Sequence, residues 1–260
     1  MVPTSVSNYI SGVRVLHIFH GYPFIRADEF LLQLELRGIS RLDPHVPVRA
    51  IPVTPAILLA FYQHMDKHES LHCSVWACSL FLFFTMARLG SILPKTKTTL
   101  PHTVLTRDRV NFSKEGILVT LLHTKTIQFG RRRLHIPLIW INSVLCPVRA
   151  FEGVLAHVQG PPVGRAFVFL KQGSVQWLTG PIFIRTFRSV LKVSGTAHAK
   201  SFTGHSFRRG GATWAFRAGI PGELIQICGD WASDAYKQYL EFNMQDKLDL
   251  AALLVRHLPL

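Results

Sequence analysis

Acidic residues are scarce in this chain. Its 260 residues hold 15 Asp and Glu against 29 Lys and Arg, a net charge of +14. So uneven a balance speaks of partners rather than of fold. Phosphates reward many Lys/Arg contacts through counterion release, which puts nucleic acid first among partner classes, with an anionic membrane surface as the competitor. The few carboxylates form no cluster along the sequence that would hold a metal ion, and no metal or cofactor is expected. Cysteine is also sparse. Cys73, Cys78, Cys146 and Cys228 lie among apolar neighbours with the spacing of neither a zinc site nor a disulfide framework, so reduced core thiols are expected. No run is long enough to span a bilayer. The most apolar, "CSVWACSLFLFFTMA", covers fifteen residues (73–87) and is closed by Arg88, which reads as a buried helix. The first residues, "MVPTSVSNYISGVRV", lack a basic stretch followed by an apolar core, so no secretory leader is expected. There is no internal repeat and no low-complexity tract.

What is present is a foldable core, with 48% of residues hydrophobic. Apolar spacing predicts helices over 4–19 and 27–38. The stretch "SRLDPHVPVRAIPVTP" then places four prolines in sixteen residues and marks a linker, with a domain boundary near residue 50. Thr54-Pro55 reads as a helix cap followed by proline at the first helical position. Helices are expected over 55–66 and 70–89. The segment "RVNFSKEGILVTLLHTKTIQFGRRRLHIPL" alternates and is interrupted near 114–116 and 129–130, predicting a three-stranded antiparallel meander. Further helices are expected from Pro147 to about 158 and over 180–193, 204–218, 221–228, 233–242 and 245–256. The expected fold class is α+β: a mainly helical domain over 51–260 with a small three-stranded antiparallel sheet, preceded by a short helical piece, 1–50.

The region "GHSFRRGGATWAFRAGIPGELIQICGDWASDAYKQYL" (204–240) concentrates the chemistry. His205 and Arg208 share a helix face and can offer an imidazole and a planar charged fork to one phosphate. Gly210 and Gly211 inside that helix each cost about 0.5–1 kcal/mol relative to Ala, so another backbone must come close. Trp231 follows Gly229-Asp230 at a helix break and can donate one hydrogen bond. Tyr236 and Tyr239 follow. Taken singly, each has an ordinary explanation as a solvated helix face, a half-buried packing indole or packing phenols.

Taken in order, these residues resemble the catalytic domain of tyrosine recombinases, the phage-integrase group. "FTMARLGSILP" supplies an arginine after an apolar helix, Arg88. "LLHTKTIQFGRRRLHIPL" supplies Lys125 between two strands. "GHSFRRGGAT" supplies His205 and Arg208, and "CGDWASDAYKQYL" supplies Trp231 and Tyr239. The resemblance covers about residues 50–245, and its wording looks most like the DIRS and Crypton types of eukaryotic mobile elements. It implies DNA cleavage and rejoining through a 3′-phosphotyrosine. Tyr239 would be the nucleophile, with Tyr236 as second choice. Arg88 and Arg208 would stabilise the transition state, Lys125 would act as general acid, His205 would manage the tyrosine proton or hold the phosphate, and Trp231 would hydrogen-bond a non-bridging oxygen. Two departures stand out. Ser91 occupies the position where the family commonly has an acidic residue, and Tyr239 follows Trp231 by eight residues where nine is frequent.

Arg131, Arg132, Arg133 and Arg209 flank these motifs and are expected to bind double-stranded DNA, which favours DNA over a membrane. The tail 245–256 is expected to be an amphipathic docking helix for self-association on DNA. The resemblance further implies that residues 1–50 are part of a helical clamp domain, and that the protein works intracellularly with DNA, in the nucleus if the host is eukaryotic. A catalytically weak, domesticated DNA-binding protein and a type IB topoisomerase-like enzyme are the alternatives.

Overall fold

The computed structural model describes residues 3–23, 27–42, 49–96, 98–100, 103–127, 132–161 and 163–241, and beyond them 244–246, 248 and 252. The chain divides into two compact units, Met1–Arg49 and Ala50–Leu260, with the division inside the proline-rich stretch.

The first unit is a pair of helices, α1 (Pro3–Phe19) and α2 (Ala27–Leu42). Tyr9, Leu16, Phe30 and Leu34 remain exposed, as expected where two helices are too few to enclose a core. Helix α2 runs through Gly38, its expected end, because a glycine inside a helix costs only about 1 kcal/mol.

The second unit begins with α3 (Pro55–His64), α4 (Ser70–Thr85) and the four-residue α5 (Leu89–Ile92). A sheet of β1 (Val110–Phe112), β2 (Gly116–Leu121) and β3 (Leu134–Ile139) follows, then α6 (Pro147–His157) and a hairpin of β4 (Val168–Lys171) and β5 (Ser174–Trp177). Helices α7 (Gly180–Val193), α8 (Gly204–Arg217) and α9 (Gly222–Cys228) come last, before a 3-10 segment, Asp234–Tyr239. The unit is α+β, as the alternation and helical spacing predicted.

Helix α4 is the centre of this unit. It is the apolar run too short for a membrane, and it is buried on all sides, from Val75 and Trp76 to Phe81 and Leu82, against α6 and α8. No helix among the described residues is long and apolar enough to cross a membrane. An aromatic chain ties α3, α7 and α8 together: ring centroids are 5.1 Å apart for Phe61–Phe187 and 4.8 Å for Phe187–Phe207. Each such ring contributes roughly 1.5–3 kcal/mol by burial. The Thr54 hydroxyl accepts from the Ile57 amide at 3.3 Å, so the cap and its proline form as read. The sheet runs β1-β2-β3, antiparallel, with Val119 opposite both Val110 and Ile136. Leu134, Ile136 and Leu138 face the core, and Pro137 is accommodated because β3 is an edge strand.

Three elements of the second unit also depart from the sequence reading. The β4–β5 hairpin was not foreseen. Its turn, Gln172-Gly173, takes positive φ at both residues (51° and 75°), without the Asn-Gly or Asp-Gly that signals such turns. Helix α4 stops at Thr85 rather than 89, because Met86 turns left-handed (φ 50°) and frees the chain before Arg88. Residues 234–239 form a 3-10 turn instead of an α-helix, and the Ser233 side chain makes no capping bond. The expected helix 245–256 falls mostly outside the described residues.

Candidate active site

Helix α8 is placed by contacts that its glycines permit. A β-carbon on Gly210 would collide with the Val53 backbone, and one on Gly211 with the Phe83 carbonyl. The close approach inferred from the double glycine is therefore to the segment before α3 and to the end of α4. The Val53 amide also donates to the Ser206 carbonyl at 2.9 Å, and the Thr203 amide to the Ser206 hydroxyl at 2.9 Å. With Phe207 buried on one side, His205 and Arg208 are held toward the other.

Arg208 is only 1% exposed, and its Nη1 donates to the Met86 carbonyl. The left-handed turn at Met86 thus does two things: it presents this carbonyl to Arg208 and it releases Arg88 from α4. Arg88 occupies the N-cap position of α5 without a side-chain capping bond, and lines a cleft of about 860 Å³ together with Lys125, His205 and Arg208. Lys125 lies exposed on the turn between β2 and β3.

Trp231 and Tyr239 complete the group. The Arg208 Cζ stands 3.6 Å from the Trp231 ring and 5.4 Å from the Tyr239 ring. Tyr239 also lies beside Trp231 (5.3 Å between centroids) and His205 (6.2 Å). The Trp231 ring can fold back in this way because Gly229 leaves it room, since a β-carbon there would overlap the indole. Tyr236 is placed differently. It is buried, and its hydroxyl lies so close to Gly222, at the start of α9, that a side chain at 222 would overlap it. Of the two tyrosines, Tyr239 is therefore the one in contact with Arg208 and His205.

The electrostatics favour an anion. Burial is the main cause lowering the Arg208 pKa, and repulsion from Arg88 adds to it, while Tyr239 and Asp230 act in the opposite sense. The His205 pKa is also lowered, first by burial and then by the charges of Arg208 and Arg88, which favours the neutral imidazole. Nε and Nη2 of Arg208 and Nε1 of Trp231 are buried donors without a hydrogen-bond acceptor. Unsatisfied buried donors are rare and costly, and a cluster of them on a stacked Arg–Trp pair is suited to receive anionic oxygens.

The basic residues expected at DNA divide. Arg132 and Arg133 are exposed beside the β2–β3 turn, and Arg132 is paired with Asp230. Arg131 lies outside the described residues. Arg209 departs from expectation: it is buried and its Nε is 2.9 Å from the Glu241 carboxylate, so a protein carboxylate already engages it. The sequence reading missed Asp230, which is buried in a left-handed conformation (φ 55°) and bonded to Thr124, Thr126 and Arg132. A non-glycine residue with positive φ cannot be read from spacing, although Asp tolerates it better than most. Ser91, where an acidic residue was looked for, is buried, and its amide donates to the Arg88 carbonyl at 2.9 Å. Among the described residues no group of three His, Cys, Asp or Glu side chains is arranged to hold a metal ion.

No protein-family model matches the chain, and no curated protein is detectably similar to it in sequence. Solved structures are similar in fold. XerH site-specific recombinase bound to palindromic difH substrate, in a post-cleavage complex, matches with a TM-score of 0.55 at 12% identity over 81% of this chain. The chain spans 55% of the XerH chain. XerA recombinase matches with a TM-score of 0.54 at 19% identity, covering 100% of this chain and 84% of its own. A lambda integrase(75-356) dimer bound to a COC' core site matches with a TM-score of 0.54 at 14% identity, over 93% of this chain and 80% of that one. At such identities the likeness is one of architecture, and the fold of this chain is that of the recombinase and integrase structures it matches.

Proposed function

We propose that this chain is a tyrosine recombinase or integrase that binds double-stranded DNA, cleaves one strand through a 3′-phosphotyrosine and rejoins it to another. The observation that carries the reading is the set of buried donors without an acceptor on Arg208 and Trp231, packed beside Tyr239, with Arg208 itself lining a cleft shared with Arg88, His205 and Lys125. A scissile phosphate bridging the two arginines relieves their mutual repulsion and gains charge-assisted hydrogen bonds. The Tyr239 oxygen attacks phosphorus and its proton passes to the neutral His205. The bond from phosphorus to the 5′ oxygen breaks, and the leaving oxygen takes a proton from Lys125. The negative charge that builds up on the non-bridging oxygens is met by Arg88, Arg208 and the Trp231 N–H, without reorganisation of solvent. A 5′ hydroxyl from a second strand reverses the steps.

In this reading residues 1–50 contribute a helical clamp on the duplex, the tail mediates self-association, and the protein works where DNA is. The wording of "GDWASDAYKQYL" resembles the DIRS and Crypton types, and in this reading the chain is of that kind. A second reading, a DNA-binding protein with weakened catalysis, draws on Ser91, which brings no charge to orient Arg88.

Incubation of the full chain with a pool of randomised duplexes, followed by denaturation and recovery of protein-linked DNA, tests the proposal. A denaturant-resistant adduct on Tyr239 is expected, formed in the presence of chelator and absent from Tyr239→Phe. DNA binding without any adduct would leave the second reading.

A further inference from the structure

The turn that carries Lys125 is held from below by one carboxylate. Thr124, just before the lysine, donates its hydroxyl to Asp230 Oδ2 at 2.6 Å. Thr126, just after it, donates to the same oxygen, and Arg132, on the returning limb, donates through Nη2 to Oδ1. Both limbs of the turn thus end on Asp230, whose side chain is 4% exposed while that of Arg132 is 52% exposed. Within the turn the Thr124 hydroxyl also accepts from the Thr126 and Ile127 amides, at 3.2 and 3.1 Å. On its other side Asp230 belongs to the Gly229-Asp230-Trp231 break that lays the indole on Arg208.

We infer that Asp230 is a positioning residue for Lys125: its carboxylate locks the β2–β3 turn onto the segment that carries Trp231, and so fixes where the lysine ammonium stands relative to Arg208 and Tyr239. A lysine has a long flexible stem, and proton delivery to a leaving oxygen requires that stem to start from a fixed backbone. A turn whose two flanking threonines share one buried acceptor supplies that. The carboxylate is well satisfied: burial works to raise its pKa, but the bonds from Thr124, Thr126 and Arg132 outweigh this and hold it below the ordinary value. Asp230 also lines a small internal space with Arg88, Ser91 and Arg208. Ser91 brings no charge to that space, and Asp230 is the carboxylate there whose charge acts on Arg208.

The catalytic side of this inference rests on the proposed function, and its test separates the two. Asp230→Asn keeps size and tolerance for the left-handed backbone but removes the charge. Amide hydrogen exchange of the full chain without DNA should show the Thr126 and Ile127 amides exchanging about tenfold faster or more in Asp230→Asn and in Thr124→Val/Thr126→Val, with the Val119–Ile136 ladder unchanged. Unchanged exchange in the turn overturns the clamp. With a duplex recovered in the adduct assay, Asp230→Asn should slow cleavage by about 10- to 100-fold, as expected for impaired general-acid catalysis. Replacing the bridging 5′ oxygen by sulfur, which leaves without a proton, should abolish that deficit, as it should for Lys125→Ala. If sulfur restores Lys125→Ala but not Asp230→Asn, Asp230 does not act through the lysine and the inference falls. If the unaltered protein forms no adduct with any duplex, the proposed function fails, and the exchange result alone decides whether Asp230 holds the turn.

Discussion

The guanidinium of Arg208 lies 3.6 Å from the indole of Trp231, and two donors of the arginine and the one donor of the indole are buried without an acceptor. Stacking and hydrogen bonding can be separated here. Trp231→Phe preserves an aromatic face for Arg208 and deletes the N–H. It should lower the rate of adduct formation by about one to two orders of magnitude, the usual size for loss of one transition-state donor or slightly less, with little change in melting temperature. Trp231→Ala should in addition destabilise the fold by about 3–5 kcal/mol. Single-turnover cleavage and thermal melting on the same preparations read the two effects.

Tyr239 and Tyr236 should behave oppositely. Tyr239→Phe is expected to abolish the adduct and leave DNA binding and melting unchanged, since one hydroxyl is lost. Tyr236→Phe should retain the adduct, because that hydroxyl is turned to Gly222. Peptide mapping of the DNA-linked protein identifies the residue directly, and an adduct on Tyr236 would reverse the assignment.

If His205 takes the tyrosine proton as proposed, it should set a pH dependence. Its folded-state pKa lies below the ordinary 6.5, so the neutral, proton-accepting form persists until the pH falls below that value. Cleavage at subsaturating DNA should therefore be flat through neutrality and decline only below about 6.5, since such rates report the free enzyme's groups. His205→Asn should remove this acid limb. The stability term has the same sign. The unfolded histidine binds its proton more readily than the folded one, so this contribution is present above 6.5 and is lost as pH falls through the folded value.

Gly211→Ala tests how the helix bearing His205 and Arg208 is seated. The added methyl would meet the Phe83 carbonyl and the Met86 side chain. Forced overpacking of this kind costs about 1–3 kcal/mol, and the displacement also moves Arg208 from Met86. Urea unfolding should show the loss, and cleavage should fall by more than stability alone explains. Gly153→Ala in α6, with nothing within 4 Å of the added carbon, is the control.

Much of this was readable in the chain. The apolar run 73–87 was long enough for a helix and too short for a membrane, and it became the central α4. The double glycine asked for a close backbone and has two. Helical spacing put His205 and Arg208 on one face because that relation is local. What escaped depends on conformations that spacing does not encode. Met86 and Asp230 adopt positive φ, and those turns decide where α4 ends and which way Trp231 points. The bond from Thr124 to Asp230 joins residues 106 positions apart, beyond the reach of any periodicity. Arg209 looked like a DNA contact because charge was visible in the sequence and its partner, Glu241, was not.

The like charges assembled around Arg208 make the cleft a place that costs the native state stability. Arg88 and Arg208 repel, and burial deprives Arg208 of water. Anything that binds there binds only the folded chain, so its affinity is added to the folding equilibrium by mass action, about 2.7 kcal/mol at a hundredfold excess over Kd. The protein is thus its own reporter for ligands. A rise in melting temperature with short phosphodiester duplexes, larger than with chloride at matched ionic strength and lost in Arg208→Ala, would rank DNA sequences before any cleavage site is known.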